Sequence, residues 1–565
     1  MNIISQTINT IIFHFGGLLG RIFRHNYFVK AKNGKTVSER TLLKIVRENR
    51  NTAYGKKYNF SQIKSVEDYR NNVPLSLYED YMDYVERSKN GENNLLTRKK
   101  IKNYANTSGT TGIKKYIPQS SSTLVSYFKV FAIFVDQCIE AIRRRNVSAF
   151  NIKGFCNTEV SENRNSESDE YSAGVVSSYA AGAVKWLLPI FTQLPSNVIG
   201  CGEIDDKEYV KSRYALQERG IKFIVGVFMS SISFSINYIE KNMEMLIEDI
   251  EKGTIDPSIK MSESIRNKLV TKLRPDPERA AELRHIMNTP SDIPFASRIW
   301  PELSFIAAIG TGDFEPFTRS VLSKCLDDIT ICHSVYAASE ALIAFAFKPN
   351  EASYLPLVDS AFYEFIPVDD EGSDSRTLLM SELEIGKLYE IVVTTKAGLY
   401  RYQLRDVVRV VGYEGETPLI QFAYRANLVT NICGTHITND DLMRSVKDME
   451  KDFKLNLIDY TLYPNMTADN PHVKLFIEFD NDLDDDTISR MKDSVNDYIR
   501  RYNTAYIQAQ DVGQLKKAEL HLLKKNTFYN LRKEQIAKGA SANQLKVKRI
   551  IEDEKSLAYF RSCSL

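Results

Sequence analysis

The sequence predicts an α/β protein of two domains, a large N-terminal one over residues 1–428 and a small α+β one over 429–565. Three observations carry this reading. A chain of 565 residues is longer than one hydrophobic core accommodates. Compact apolar runs rich in β-branched residues alternate with segments of helical periodicity. The pattern then starts again after about residue 430, which sets the domain boundary between about 425 and 435. Hydrophobic residues make up 43% and charged residues 26%, an ordinary soluble balance that argues against disorder and against a multi-span membrane protein. With 74 basic and 72 acidic residues the net charge is +2, so no global field attracts a polyanion and nucleic acid is not an expected partner.

In chain order, MNIISQTINTIIFHFGGLLGRIFRH (1–25) is apolar but lacks a basic leader and an A-x-A-like cleavage site. His14 and Arg21 interrupt any span of membrane length. It reads as a docking helix, with weak membrane-surface binding as the alternative and no stable insertion. Residues 157–170, NTEVSENRNSESDE, form the most polar stretch and read as a mobile surface loop. IKFIVGVF (221–228), LSFIAAIG (303–310) and YEIVVTT (389–395) read as buried strands. Between the first two, Ile232, Ile236, Ile239, Met243, Leu246, Ile247 and Ile250 follow helical spacing, with Gly253 as a stop.

In the second domain, VKLFIEF (473–479) reads as a strand and a helix starts near Asp486. Asp480, Asp482 and Asp484 alternate as in a calcium loop, but Asp485 stands where that loop needs glycine and Met491 where it needs glutamate, so the stretch reads as a turn. Seven cysteines without a C-x-x-C pair read as reduced thiols of a cytoplasmic protein, without structural zinc.

The chemistry is concentrated in three places. Thr107-Ser108-Gly109-Thr110-Thr111-Gly112, followed by Lys114 and Lys115, lies between a strand-like and a helical segment. Glycines let backbone N–H groups close around phosphate oxygens, hydroxyls add neutral donors, and lysine supplies charge. A Walker A pattern cannot be laid over it, and a plain flexible turn is the competing reading. His333-Ser334-Val335-Tyr336-Ala337-Ala338-Ser339-Glu340 ends on a carboxylate of the kind a phosphate-bound magnesium ion needs, although such a glutamate taken alone is more often a surface or capping residue. GLYRYQLRDVVRV (398–410) sets Asp406 in a strand-rich stretch, where a carboxylate accepts both hydroxyls of a ribose or, alternatively, pairs with an arginine.

The order of hydroxyl-rich loop, Y-x-x-S-E and Y-R-Y-x-x-x-D resembles the adenylate-forming enzymes, and more closely the auxin-responsive Gretchen Hagen family of acyl acid amido synthetases. The resemblance runs from NTAYGKKYNF (51–60) through YANTSGTTGIKKYIP (104–118), IEDIEKGTI (247–255), WPELSFIAAIGTG (300–312), VYAASE and VTTKAGLYRYQLRD to GASANQLKVKR (539–549). It implies a barrel-like part in the large domain and a mobile C-terminal lid. It also implies ATP and Mg2+ as cofactors, a carboxylic acid and an amine, as of an amino acid, as substrates, and a monomer. By motif, Ser108, Gly109, Thr110 and Thr111 match the phosphate loop and Lys115 the lysine that follows it. Tyr336, Ser339 and Glu340 match the second nucleotide motif, with Glu340 on magnesium; Tyr400, Arg401 and Asp406 match the third, with Asp406 on the ribose. Lys546 matches the lysine that reaches the α-phosphate during adenylation, where negative charge develops.

Three departures stand out. The phosphate loop is one residue shorter than in the plant members and reads like the T-S-G-T-T-G of acyl-CoA ligases, Arg405 occupies a position that is usually glycine, and Lys548 replaces a proline. They leave a thioester-forming ligase and a non-catalytic nucleotide-binding relative as alternatives. No arginine is assigned to the acyl carboxylate, since Arg143, Arg144 and Arg145 are equivalent at this level.

Overall fold

A computed structural model of the chain describes residues 3–108, 114–157, 173–174, 191–192, 204–271, 273–311, 314–368, 376–426, 430–432, 435–466, 471–511, 513–538, 547–551 and 553–565. It is a mixed α/β protein with several sheets. The chain divides into two compact units, Met1–Thr311 with Val321–Phe422, and Gly312–Ser320 with Ala423–Leu565.

In the first unit, strands β1 (Ile101–Ser108) and β2 (Lys114–Ser120) pair antiparallel, with Thr107 opposite Lys115. The hydroxyl-rich motif therefore joins two strands; the helix expected directly after it starts only at Ser121. The segment KKYIPQS explains the difference, because its aromatic and β-branched residues and Pro118 favour extended backbone over helix. A four-stranded parallel sheet has the order β3 (Lys153–Asn157), β5 (Ile221–Phe228), β6 (Phe305–Ile309), β7 (Thr330–Cys332), and β4 (Ala173–Gly174) runs parallel beside β1. Asn157 is buried at the end of β3, so it belongs to the sheet and not to a surface loop; residues 158–170 lie outside the described residues.

A seven-stranded sheet follows: β8 (Val335–Ala337), β9 (Leu342–Ala346), β10 (Tyr354–Pro356), β11 (Ala361–Pro367), β12 (Leu388–Thr395), β13 (Tyr402–Glu414) and β14 (Thr417–Arg425), in the spatial order β11-β12-β13-β14-β10-β9-β8. Its core, with Tyr54, Tyr69, Tyr81, Ile343, Val393 and Tyr400, fixes the second and third motifs on one scaffold.

The long helix α1 (Ile3–Lys32) packs on the helix Ser121–Arg144, burying Phe13, Gly17, Gly20, Tyr27 and Ala31. Gly20 is required by the close approach: a Cβ there would stand 1.9 Å from the carbonyl oxygen of Ala132. Farther on, the periodic stretch at 232–250 forms two helices, Met229–Lys241 and Met243–Lys252, broken at Asn242, and the second ends on the left-handed Gly253 (φ +70°) that the sequence marks as a stop.

The second unit has a two-stranded ribbon, β15 (Thr430–Ile432) with β16 (Thr435–Ile437). Its three-stranded sheet comprises β17 (Leu457–Asn465), β18 (His472–Phe479) and β19 (Glu519–Leu522). The helices Asn439–Phe453 and Asp485–Arg500 cover it around Val446, Leu475, Ile477 and Ile499. Asp484 caps the second helix by accepting from the Thr487 N–H at 2.7 Å, the turn role expected of the acidic stretch.

Candidate functional site

The three sequence motifs converge on the first unit through specific side-chain hydrogen bonds. Gln119, on β2 just past the hydroxyl-rich loop, donates from Nε2 to the carbonyl of Ser339 at 2.9 Å. Ser339 and Glu340 form the turn between β8 and β9, and Tyr402, at the start of β13, donates its hydroxyl to Glu340 Oε1 at 3.2 Å. Tyr336 on β8 donates to Asp406 Oδ2, in the middle of β13, at 3.1 Å. Two tyrosine–carboxylate bonds thus tie the second motif to the third, and one amide bond ties the first to the second.

Each carboxylate also takes part in interactions beyond its tyrosine, as an ionised carboxylate with about four lone-pair directions can. Glu340 is half-buried and Asp406 only 8% exposed. The Tyr336 ring is held edge-on by Phe422, with centroids 5.8 Å apart. Lys115 lies half-buried with its Nζ 5.4 Å from the centre of the Tyr78 ring, and the Tyr78 hydroxyl accepts the Tyr116 N–H at 2.8 Å, which pins the first turn of β2. The backbone of Ser108 ends β1; Gly109, Thr110, Thr111 and Lys546 lie outside the described residues.

Tyr400 and Arg401 sit behind this surface rather than on it, a correction to the expectation that both meet the nucleotide. Tyr400 is fully buried, stacked on Tyr54 with ring centroids 4.6 Å apart, and its hydroxyl donates to the Leu96 carbonyl at 2.6 Å. Arg401 forms a bidentate pair with Glu364, Nε to Oε2 and Nη2 to Oε1, both at 3.0 Å. Its Nη1 donates to the carbonyls of Arg70 (3.0 Å) and Val73 (2.8 Å), and Nη2 also donates to Thr377 Oγ1 (3.0 Å). The guanidinium is therefore committed to the core. The segment after Val73 completes the clamp: the Ser76 and Tyr81 hydroxyls both donate to the Tyr400 carbonyl at 2.8 Å.

Backbone strain clusters at the same place. Ser334, Arg401 and Arg405 all hold positive φ, at 44°, 46° and 62°, a conformation that costs a non-glycine residue about 1–2 kcal/mol. The left-handed backbone at Arg405 is a conformation that glycine adopts without steric cost, in keeping with the glycine that the resemblance implies at this position. In this chain the Arg405 guanidinium pairs with Glu390 at 3.4 Å, and burial pushes the Glu390 carboxyl above its ordinary range while Arg405 pulls it back.

Among the described residues no group of three or more His, Cys, Asp and Glu side chains is arranged to hold a metal ion by protein ligands alone. Sequence reasoning left Gln119, Tyr402, Tyr78 and Glu364 without a role. Tyr402 carries a signal as the second tyrosine of Y-R-Y. Gln119 and Glu364 carry none, because their partners are a backbone carbonyl and a distant arginine.

Comparison with known proteins gives a consistent match over almost the whole chain. Family models match in order: the GH3 family N-terminal domain over residues 25–329, the GH3 family central domain over 354–425 and the GH3 family C-terminal domain over 440–555. The chain is 26% identical over 546 residues to a jasmonoyl–L-amino acid synthetase, JAR4, of Nicotiana attenuata, covering 93% of this chain and 92% of the relative. It is 25% identical over 562 residues to the indole-3-acetic acid-amido synthetase GH3.4 of Arabidopsis thaliana, covering 92% and 90%. Its fold is similar to that of the AtGH3.15 acyl acid amido synthetase in complex with 2,4-DB, with a TM-score of 0.84 at 22% identity over 97% of this chain and 96% of that one.

Proposed function

We infer, for a chain that belongs to the GH3 family of acyl acid amido synthetases within the adenylate-forming superfamily, that it activates a carboxylic acid with ATP and passes the acyl group to the amine of an amino acid. In the first half reaction a carboxylate oxygen of the acid attacks the α-phosphorus of ATP and pyrophosphate leaves. In the second the amine nitrogen attacks the acyl carbon, loses a proton, and AMP leaves. Neither half needs a protein nucleophile; both rest on positioning and on charge stabilisation.

The observation that carries the reading is the junction of three motifs, far apart in sequence, by the Gln119–Ser339, Tyr402–Glu340 and Tyr336–Asp406 hydrogen bonds. In this proposal Ser108, Gly109, Thr110, Thr111 and Lys115 hold the phosphates and Asp406 accepts the ribose hydroxyls. Tyr336 and Ser339 shape the nucleoside pocket. Tyr400 and Arg401 hold the third motif from behind. The single half-buried carboxylate of Glu340 fits a Mg2+ ion that takes its remaining ligands from substrate phosphates and water, and such an ion supplies charge neutralisation at the phosphates when bound. Lys546, placed by its G-A-S-x-N-Q-x-K context alone, meets the charge that grows on the α-phosphate.

Relatives named for jasmonate and indole-3-acetate conjugation support an acyl acid with an apolar body as substrate class. ATP–pyrophosphate exchange with a panel of such acids, followed by mass spectrometry of products formed with each amino acid or with coenzyme A, tests the proposal. Acid-dependent exchange with an amide product is expected. A thioester alone assigns the chain to the second reading, which the short T-S-G-T-T-G loop favours, and no exchange with any acid overturns adenylation.

A further inference from the structure

α1 is apolar on two opposite faces, and among the described residues only one of them is packed inside the molecule. Phe13, Gly17, Gly20, Tyr27 and Ala31 face the protein, whereas Ile4, Ile8, Ile11, Phe15, Leu18, Ile22 and Val29 point outward, each between 47% and 65% exposed. The outward residues are spaced alternately by four and three, with exposed His25 filling the remaining step, so the seam keeps the 3.5-residue period of a coiled-coil interface over the whole helix. Seven apolar side chains, each about half exposed or more, thus line one continuous stripe along the helix, the kind of contiguous apolar patch that marks an interaction surface. Val125 and Phe128 on the neighbouring helix are exposed too, and Phe128 packs edge-on against Phe23 of α1 (centroids 6.4 Å apart), which widens the patch.

We propose that, in contrast to the monomer that the family resemblance implies, this seam pairs with the same seam of a second copy of the chain, antiparallel, about a two-fold axis between Phe15 and Leu18. The spacing is symmetric about that point, so Phe15 meets the partner's Leu18, Ile11 the partner's Ile22, Ile8 the partner's His25 and Ile4 the partner's Val29. This is the self-complementarity that an isologous contact requires. A membrane surface is the competing occupant, since α1 is long and apolar enough to enter one by length and composition and carries no acidic residue. Its charge argues otherwise. Of the four Arg and Lys side chains on α1, Arg21 and Arg24 are paired with Asp136 and Glu140, and Lys30 with Asp359, which leaves little net positive potential for anionic headgroups.

Sedimentation velocity of the full chain between 1 and 50 μM, with and without F15E/L18E, tests the pairing. Both side chains are more than half exposed, so the variant keeps its fold, which circular dichroism and an unchanged melting temperature verify. A dimer that dissociates at least 100-fold more readily in F15E/L18E is the expected result. A wild-type monomer at 50 μM, or a dimer indifferent to the substitution, overturns the proposal. Pelleting of a purely monomeric protein with phosphatidylserine vesicles overturns it in favour of the membrane. Nitroxides on Thr7→Cys, in a background in which Cys201, Cys433 and Cys563 are replaced by Ser, report orientation: the antiparallel pair sets them on the order of 30 Å apart along the axes, from a rise of ~1.5 Å per residue. A separation under about 15 Å overturns the antiparallel arrangement.

Discussion

At the scale of single residues, the site divides into groups that face a ligand and groups that hold them. In the proposed reaction Lys546 belongs to the first class by its motif, and its charge would act on a state that exists only during that reaction. Lys546→Ala is therefore expected to lower the rate of acyl-adenylate formation by about 100-fold or more while leaving ATP affinity within a few-fold, measured by single-turnover quench against equilibrium nucleotide binding. Arg405 belongs to the second class. Arg405→Gly relieves the left-handed backbone but strips the buried Glu390 of its cation, raising the Glu390 carboxyl further above its unfolded value. A carboxyl raised on folding contributes stability that is present at low pH and lost as pH rises through its folded value. The variant should accordingly melt near the parent at pH 5 and progressively below it towards pH 8, and a deficit independent of pH would remove Glu390 from the explanation.

At the scale of elements, β18 carries a buried titration of the same sign. Glu478 is 3% exposed, and burial pushes its carboxyl up to about 7 although it accepts the N–H groups of Asn526 at 2.6 Å and Phe528 at 2.9 Å. The folded form thus holds a proton that the unfolded form releases near 4.5, and stability falls between about pH 5 and 8 by an amount on the order of 3 kcal/mol. Glu478→Gln should flatten that slope in urea unfolding at several pH values, at the cost of about 1 kcal/mol at pH 5, where a single amide oxygen faces two donors. α1 offers a steric counterpart. Gly20→Val forces the helix away from the Ala132 carbonyl, and an overpacking loss of about 1–3 kcal/mol with faster amide exchange along α1 is the expected outcome.

At the scale of the whole molecule, each compact unit owns a core, one built on the tyrosine-rich seven-stranded sheet and one around Val446, Leu475 and Ile477. The described parts of all three motifs proposed to hold the nucleotide lie in the first unit. Scanning calorimetry is expected to resolve two transitions, and Mg-ATP at about 100 times its Kd should raise the one from the first unit by roughly 2.7 kcal/mol of linkage while moving the other less. Equal shifts of both transitions would mean that the nucleotide is held as much by the second unit as by the first.

The sequence by itself determined the α/β class, the strands at 221–228, 303–310, 389–395 and 473–479 and the stop at Gly253, because these signals are local: periodicity, β-branching and a residue that tolerates positive φ. It also carried the three motifs, since the phosphate and ribose chemistry proposed for them would restrict residue types over a few neighbouring positions. Only the tertiary structure decided that Tyr400 and Arg401 are core. A tyrosine or arginine reads the same in sequence whether it meets a ligand or a partner such as Glu364, 37 residues away along the chain. The same holds for Gln119, which joins the first motif to the second across two sheets, for Tyr402, which joins the second to the third within one sheet, and for the outward seam of α1. Its apolar spacing is written in the sequence, but which of its two faces the protein leaves uncovered follows from the contact that Gly20 makes with Ala132.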